Sequence, residues 1–227
     1  MGYKLDLAKI TLFVAALCVA ISAHAGAMLP VLLIRGLDHR DVALRPLQEK
    51  LQNEGFANVR VAAFTPRHGT ESIELVAKQA EEVAQQLMKD TGSKQIDVIG
   101  FSMGALAARY VIQRLGGKTF VRKFISISGP QLGTWSAYVR MFHVAVREMA
   151  PNSNFLKDLE RDKDPFGKVE LYSFYTPYDI IVFPAKNSIL PNSTVKSFHV
   201  TLHHQMLKDP EVLDAVVHAL REGPHAT

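Results

Sequence analysis

Cysteine is nearly absent. The 227 residues contain one, Cys18, and it falls inside an apolar N-terminal run. The rest of the chain has no thiol, which excludes a disulfide framework, a cysteine nucleophile and a thiolate metal site. Leu17 sits directly before Cys18 rather than three residues before it, so the spacing argues against a lipoprotein site. A dense basic cluster is also missing. The net charge is only +4, with nothing resembling a nucleic-acid-binding stripe. No internal repeat and no low-complexity tract occurs. The N-terminal apolar run, Ile10 to Ser22, is shorter than the roughly 20 residues a transmembrane helix needs.

What stands at the N-terminus is a three-part pattern. Lys4 and Lys9 precede the apolar run and Ala23-His24-Ala25 follows it, as in a secretory signal peptide with an Ala-x-Ala cleavage site. Asp6 is the one acid in the basic part, and an uncleaved anchor is the alternative. The expectation is a signal peptide over 1–25 and a mature chain from Gly26, exported to the periplasm or secreted. Lys4, Lys9 and Asp6 leave with the leader, so the mature charge is +3. Residues 26–227, in a sequence 48% hydrophobic, suit one globular domain with a sizeable core.

Strand-like and helix-like segments alternate along that domain. Pro30 to Ile34 is a continuous apolar run ending at Arg35-Gly36, and Val59 to Phe64 is a second run stopped by Pro66. Thr70 to Asp90 carries Ile73, Val76, Ala80, Val83 and Leu87 at helical spacing, with Gly92 just past the end. Further strands are expected over 95–100, 121–128, 168–175 and 195–200. Asp209-Pro210 reads as an N-cap followed by proline at the first helical position. The final helix it opens has Leu213, Val216, Val217 and Leu220 on one face. The alternation predicts an α/β fold, with a mostly parallel central sheet of about six strands and helices on both faces. Active sites in such sheets lie at the carboxyl ends of the strands.

One motif falls there. Gly100-Phe101-Ser102-Met103-Gly104 follows the apolar strand and opens the small-residue helix Ala105 to Ile112. Strand, Gly-x-Ser-x-Gly, helix is the nucleophile-elbow arrangement, in which a serine occupies a sharp turn and projects its hydroxyl. A serine hydroxyl needs a base to take its proton, and the base needs an acid to fix its tautomer. The acid and then the base follow the serine in chain order. Asp179, in Thr176-Pro177-Tyr178-Asp179 after the fifth strand, is the candidate acid. Asp162 and Asp164 lie in a charged, solvated stretch and Asp97 comes too early, so these are weaker. His203 and His204 follow the last strand and are both candidates for the base, with His203 favoured. His199 falls within the expected strand. The three histidines lack a nearby carboxylate that would complete a metal site. No cofactor or metal is expected. The oxyanion donors should be the backbone N–H groups of Met103 and of Leu37, in the loop after the first strand.

These motifs resemble the small bacterial triacylglycerol lipases and related esterases of the α/β-hydrolase superfamily, over about residues 29–221. Val31 to Leu37 looks like that family's first strand and His-Gly oxyanion loop, with Arg35 in the histidine position. Gly100 to Ala105 resembles its Gly-His-Ser-Met-Gly-Gly elbow, departing at Phe101 and Ala105. Gly129 to Thr134 is similar to its Pro-His-x-Gly-Thr segment, with Gln131 for histidine. Pro151 to Leu156 and Asp179 to Pro184 also look familial. His203 to Pro210 resembles its His-x-x-Leu-Leu-x-Asp-Pro run and places the catalytic histidine at His203. The resemblance implies an α/β-hydrolase fold and a serine carboxylester hydrolase. Ser102, Asp179 and His203 would be its triad, acting on lipid or other acyl esters.

Trp135 to Ala150 is rich in large apolar residues. It reads equally as part of an acyl pocket or lid and as a helix packed on the sheet, and a lid would bring transient contact with a lipid interface. Two rival readings share the same residues. One is an acyltransferase with the same triad. The other is a catalytically dead hydrolase-like binding protein, to which Arg35 and Phe101 give weight.

Overall fold

The computed structural model describes residues 28–37, 41–65, 71–139 and 143–222. The expected signal peptide lies outside the described residues, as do residues 140–142 of the apolar segment. Six strands form one all-parallel sheet: β1 (Val31–Ile34), β2 (Val59–Ala62), β3 (Ile96–Phe101), β4 (Val121–Ile127), β5 (Glu170–Tyr175) and β6 (Thr194–Ser197). Their spatial order is β2-β1-β3-β4-β5-β6. The two central strands nearest the site, β1 and β3, are buried along their whole length.

Side chains alternate between the two faces, as the period of a strand requires. Val31, Leu33, Ile99 and Ile125 pack with helices α1 (Arg45–Asn53) and α6 (Pro210–Arg221). Leu32, Ile34, Val98 and Phe124 pack on the other face with α2 (Ile73–Thr91) and α3 (Met103–Arg114). The chain chemistry at the helix ends explains the boundaries. Ser72 accepts from the Leu75 amide at 3.2 Å to start α2, and Gly92 ends it at φ 66°. Asp209 accepts from the Glu211 and Val212 amides, and Pro210 occupies the first position of α6. Two shorter helices, α4 (Val144–Glu148) and α5 (Asn154–Leu159), lie between β4 and β5.

Several strand and helix boundaries differ from expectation by one to three residues. The second strand stops at Ala62, two residues before Phe64. Helix α2 runs from 73 to 91 rather than from 70 to 90. The last strand covers 194–197, not 195–200. Its last ladder bond is Phe198 N–H to the Tyr175 carbonyl at 2.9 Å. The Thr176 hydroxyl then takes the Val200 carbonyl, so Phe198 and Val200 stay buried after the backbone has left the sheet. His199 therefore lies beyond the strand.

Candidate active site

Ser102 is the single residue between β3 and α3. Its backbone sits at φ 54°, ψ −127°, a region that L-residues rarely enter. The surrounding glycines hold it there. A Cβ on Gly100 would come within 2.5 Å of the Ala105 Cα, and one on Gly104 would collide with the Ile34 and Arg35 carbonyls. Helix α3 can thus start directly against β1 and β3. Gly36 passes under the serine, where a Cβ would meet the Ser102 Cβ at 2.9 Å. This close approach brings Leu37 to the cavity that Ser102 also lines. Met103, the first residue of α3, contributes one of the first-turn N–H groups that have no acceptor within a helix. Leu37 thus shares a cavity with the serine, and Met103 follows it directly.

Asp179 follows the C-terminal end of β5 and is 3% exposed. One carboxylate oxygen accepts from the Ile181 and Val182 amides, both at 2.9 Å. The other lies 2.7 Å from His203 Nδ1. Those two amides fix the rotamer of the carboxylate, which in turn fixes the ring. The His203 Nε2 is buried and has no hydrogen-bond partner. The ring of Phe101, the residue before Ser102, lies 4.8 Å from the His203 ring at 39°. The imidazole is therefore seated at the elbow, with one nitrogen engaged and the other open.

The remaining candidates fall elsewhere. His204 is exposed, which separates it from His203, and exposed His199 lies 6.1 Å from the Tyr178 ring. Asp162 accepts from Arg114 at 2.7 Å, and Asp164 closes a turn by accepting from the Gly167 amide. Asp97 pairs with Arg122 near the opposite end of the sheet. Among the described residues, no group of His, Cys, Asp or Glu could hold a metal ion.

The cavity beside Ser102 has a volume of about 310 Å3. Apart from the serine and the Thr134 and Ser136 hydroxyls, its walls are apolar: Ala137, Val146, Met149, Ile181 and Val182 among them. Among residues 135–150 the structure describes a 3₁₀ turn over Trp135–Val139 and the short helix α4 rather than one helix, and both contribute to the cavity wall. Val146 and Met149 are packed inward, while Trp135, Tyr138 and Val139 are exposed.

A hydroxyl yoke that the sequence does not announce joins this wall to the segment carrying Asp179. Thr134 Oγ1 accepts from the Phe183 amide at 2.9 Å and donates to the Ile181 carbonyl at 2.8 Å. Ser136 donates to that same carbonyl, and the Trp135 amide donates to the Phe183 carbonyl. Behind the wall, Arg109 donates to the Gln131 and Leu159 carbonyls, and burial lowers its pKa to about 10. The residues that depart from the lipase-like pattern are buried. The Arg35 guanidinium stacks 4.9 Å from the Phe64 ring, and Gln131 donates to Ser126 at 3.0 Å.

Comparison with solved structures places the fold. Aspergillus fumigatus lipase B superposes with a TM-score of 0.71 at 18% identity, over 89% of this chain and 55% of that one. The mature form of Bacillus licheniformis lipase BlEst2 gives 0.70 at 13% identity, over 86% of this chain and 92% of that one. A putative cell surface hydrolase from Lactobacillus plantarum gives 0.61 at 14% identity, covering 87% and 91%. The chain spans about half the length of Aspergillus lipase B and of the propeptide form of BlEst2, 55% and 52% respectively. At these identities the likeness shows a lipase- and esterase-like α/β-hydrolase fold. A search of curated protein sequences finds no match. The model of the palmitoyl protein thioesterase family matches residues 30–178, more than half of the chain. That stretch runs from the first strand through the elbow to the residue before Asp179, and the chain belongs to this family of hydrolases.

Proposed function

We propose that this protein is a serine hydrolase that cleaves the acyl bond of a fatty oxygen ester or thioester through an acyl-enzyme on Ser102. One observation carries the reading. His203 has its Nδ1 held by Asp179 at 2.7 Å while its buried Nε2, beside the elbow, has no partner. A merely structural histidine satisfies both nitrogens when buried. An open nitrogen beside a serine on a strained turn is a base in waiting.

Ser102 Oγ attacks the acyl carbonyl as His203 Nε2 takes its proton. Asp179 holds the resulting imidazolium without itself becoming protonated. The developing oxyanion is met by the Met103 and Leu37 N–H groups. His203 returns the proton to the leaving alcohol or thiol, and water then cleaves the acyl-enzyme by the reverse transfers. The apolar cavity beside Ser102 receives the acyl chain, which favours fatty acyl groups over polar ones. The family name and the apolar wall together favour a palmitoyl-type thioester as one substrate class. The N-terminal pattern Lys4, Lys9, Ile10 to Ser22 and Ala23-His24-Ala25 supports export, so the substrate would be met in the periplasm or outside the cell.

The test is hydrolysis of p-nitrophenyl esters from short to long acyl chain, with an acyl thioester alongside and Ser102→Ala as the control. The reading requires turnover that rises beyond acetyl and falls by about 10⁴-fold in the variant. It also requires labelling by a serine-reactive phosphonate in the parent alone. Turnover that survives Ser102→Ala would overturn it. So would a folded protein that neither turns over nor is labelled.

A further inference from the structure

The mouth of the cavity is surrounded by a surface that a water-facing protein does not ordinarily keep. Among the described residues, nine of the twelve exposed large hydrophobic side chains fall within 132–144 and 178–183. Singly scattered exposed apolar residues are common, but a cluster of this kind marks an interaction site. Its centre is Trp135, Tyr138 and Val139 from one segment, and Ile180, Ile181 and Phe183 from the other. Exposure there runs from 46% at Ile181 to 82% at Val139. The bonds of Thr134, Trp135 and Ser136 to Ile181 and Phe183 hold the two segments side by side. Val139 and Ile181 also line the cavity with Ser102. The apolar surface and the cavity are thus one continuous feature.

Charge selects what covers it. Residues 129–147 and 180–208 contain no Asp or Glu, although the chain as a whole holds 22 acids. Their cations are Arg140, Arg147, Lys186, Lys196 and Lys208, of which Lys196 pairs with Glu211 and Arg147 lines a groove with Glu74, Glu148 and Asp158. Lys186 is exposed on the turn just past Phe183 and Pro184. Of the flanking acids, Asp179 is held by His203 and two amides, and the half-buried Glu148 carboxylate accepts from the Ile73 amide at 2.6 Å. Trp and Tyr with aliphatic neighbours, Lys186 beside them and no acid within either of these stretches form the composition that sits at the headgroup level of an anionic bilayer.

We propose that this face docks on an anionic lipid surface, with the mouth of the Ser102 cavity pressed against the bilayer so that acyl chains enter without crossing water. The docking rests on the hydrolase reading only for what it delivers. The side chains that insert are Trp135, Val139, Ile180 and Phe183, and Lys186 stays at the phosphate level.

Trp135 is the only tryptophan of the chain, so its emission reports on this face alone. The full chain is titrated with phosphatidylglycerol vesicles and, separately, with phosphatidylcholine vesicles. The expected result is a blue shift and loss of acrylamide quenching with phosphatidylglycerol, weak or absent with phosphatidylcholine and diminished by salt. Ile180→Asn should raise the apparent Kd for phosphatidylglycerol vesicles ~10-fold. An unshifted Trp135 on protein that nonetheless sediments with vesicles means attachment through the N-terminal run, and overturns the proposal. Equal shifts with both lipids overturn the anionic assignment, and an unchanged Kd in Ile180→Asn overturns the assigned face. Because the emission does not depend on turnover, an idle Ser102 would leave this result intact, and a failure here would leave the ester assays intact.

Discussion

Asp97 and Asp179 are both buried carboxylates at strand ends, and they do opposite work. Asp97 lies one residue into β3 and receives two bonds from Arg122, whose guanidinium also reaches the Leu220 carbonyl at 3.1 Å. Next to it, the buried Lys123 ammonium donates to the Ala219 and Glu222 carbonyls. Together these cations fasten the end of α6 to the sheet. Burial pushes the Asp97 carboxyl above the usual aspartate range, against the pull of Arg122. Asp179 lies past the other end of the sheet and has no fixed cation among its hydrogen-bond partners. They are two amides and an imidazole whose far nitrogen is open. A carboxylate paired with a permanent charge is a fastening, and in the proposed mechanism one paired with a titratable ring orients a base. The partner, not the burial, separates them.

The comparison breaks most sharply at Asp179→Asn. The amide oxygen still accepts from Ile181 and Val182, but the new NH2 faces His203 Nδ1 and drives the ring proton to Nε2. Ester turnover should fall about 10⁴-fold while the urea midpoint barely moves. A variant with near-normal turnover would remove Asp179 from the site. Asp97→Ala should do the reverse. Stranding Arg122 costs about 3 kcal/mol, near the low end for a broken buried pair because the guanidinium partly reaches solvent. Turnover by the folded fraction should match the parent, and unfolding curves together with kinetics on one preparation decide it.

The finest distinction is in pH. A carboxyl raised in the folded state binds more protons there than in the unfolded chain, so its contribution to stability grows as pH falls. The stability gap between the parent and Asp97→Ala should widen from neutral pH toward about pH 4.5, approaching the unfolded aspartate value. Urea midpoints of both proteins at the two pH values would show it. A constant or shrinking gap would mean that Arg122, rather than burial, dominates at Asp97.

The site was more legible in the sequence than its surroundings, and the reason is locality. Gly100, Ser102 and Gly104 act within five residues, and Asp209-Pro210 caps a helix within four. The chain order of Ser102, Asp179 and His203 is the one that goes with the nucleophile-elbow arrangement. That His203 rather than His204 meets Asp179 depends on the tertiary fold, which no local pattern carries. The end of β6 was misplaced because Phe198 and Val200 continue the apolar alternation after the backbone has turned toward Thr176. Helices α1 and α5 went unread, since α1 buries only Leu47 and Leu51, and α5 only Leu156 and Leu159. The Thr134 yoke joins residues 47 and 49 apart through two hydroxyls, two carbonyls and two amides, and such pairings leave no period in a sequence.

The backbone of Ser102 has an evolutionary consequence. At φ 54° glycine would rest without strain, whereas serine holds that turn at roughly 1–3 kcal/mol. A lineage indifferent to the hydroxyl would gain stability by drifting to glycine, a single step that the packing around Gly36, Gly100 and Gly104 would accept. Serine at that turn is a sacrifice of robustness, of the kind that the proposed use of its oxygen atom would repay.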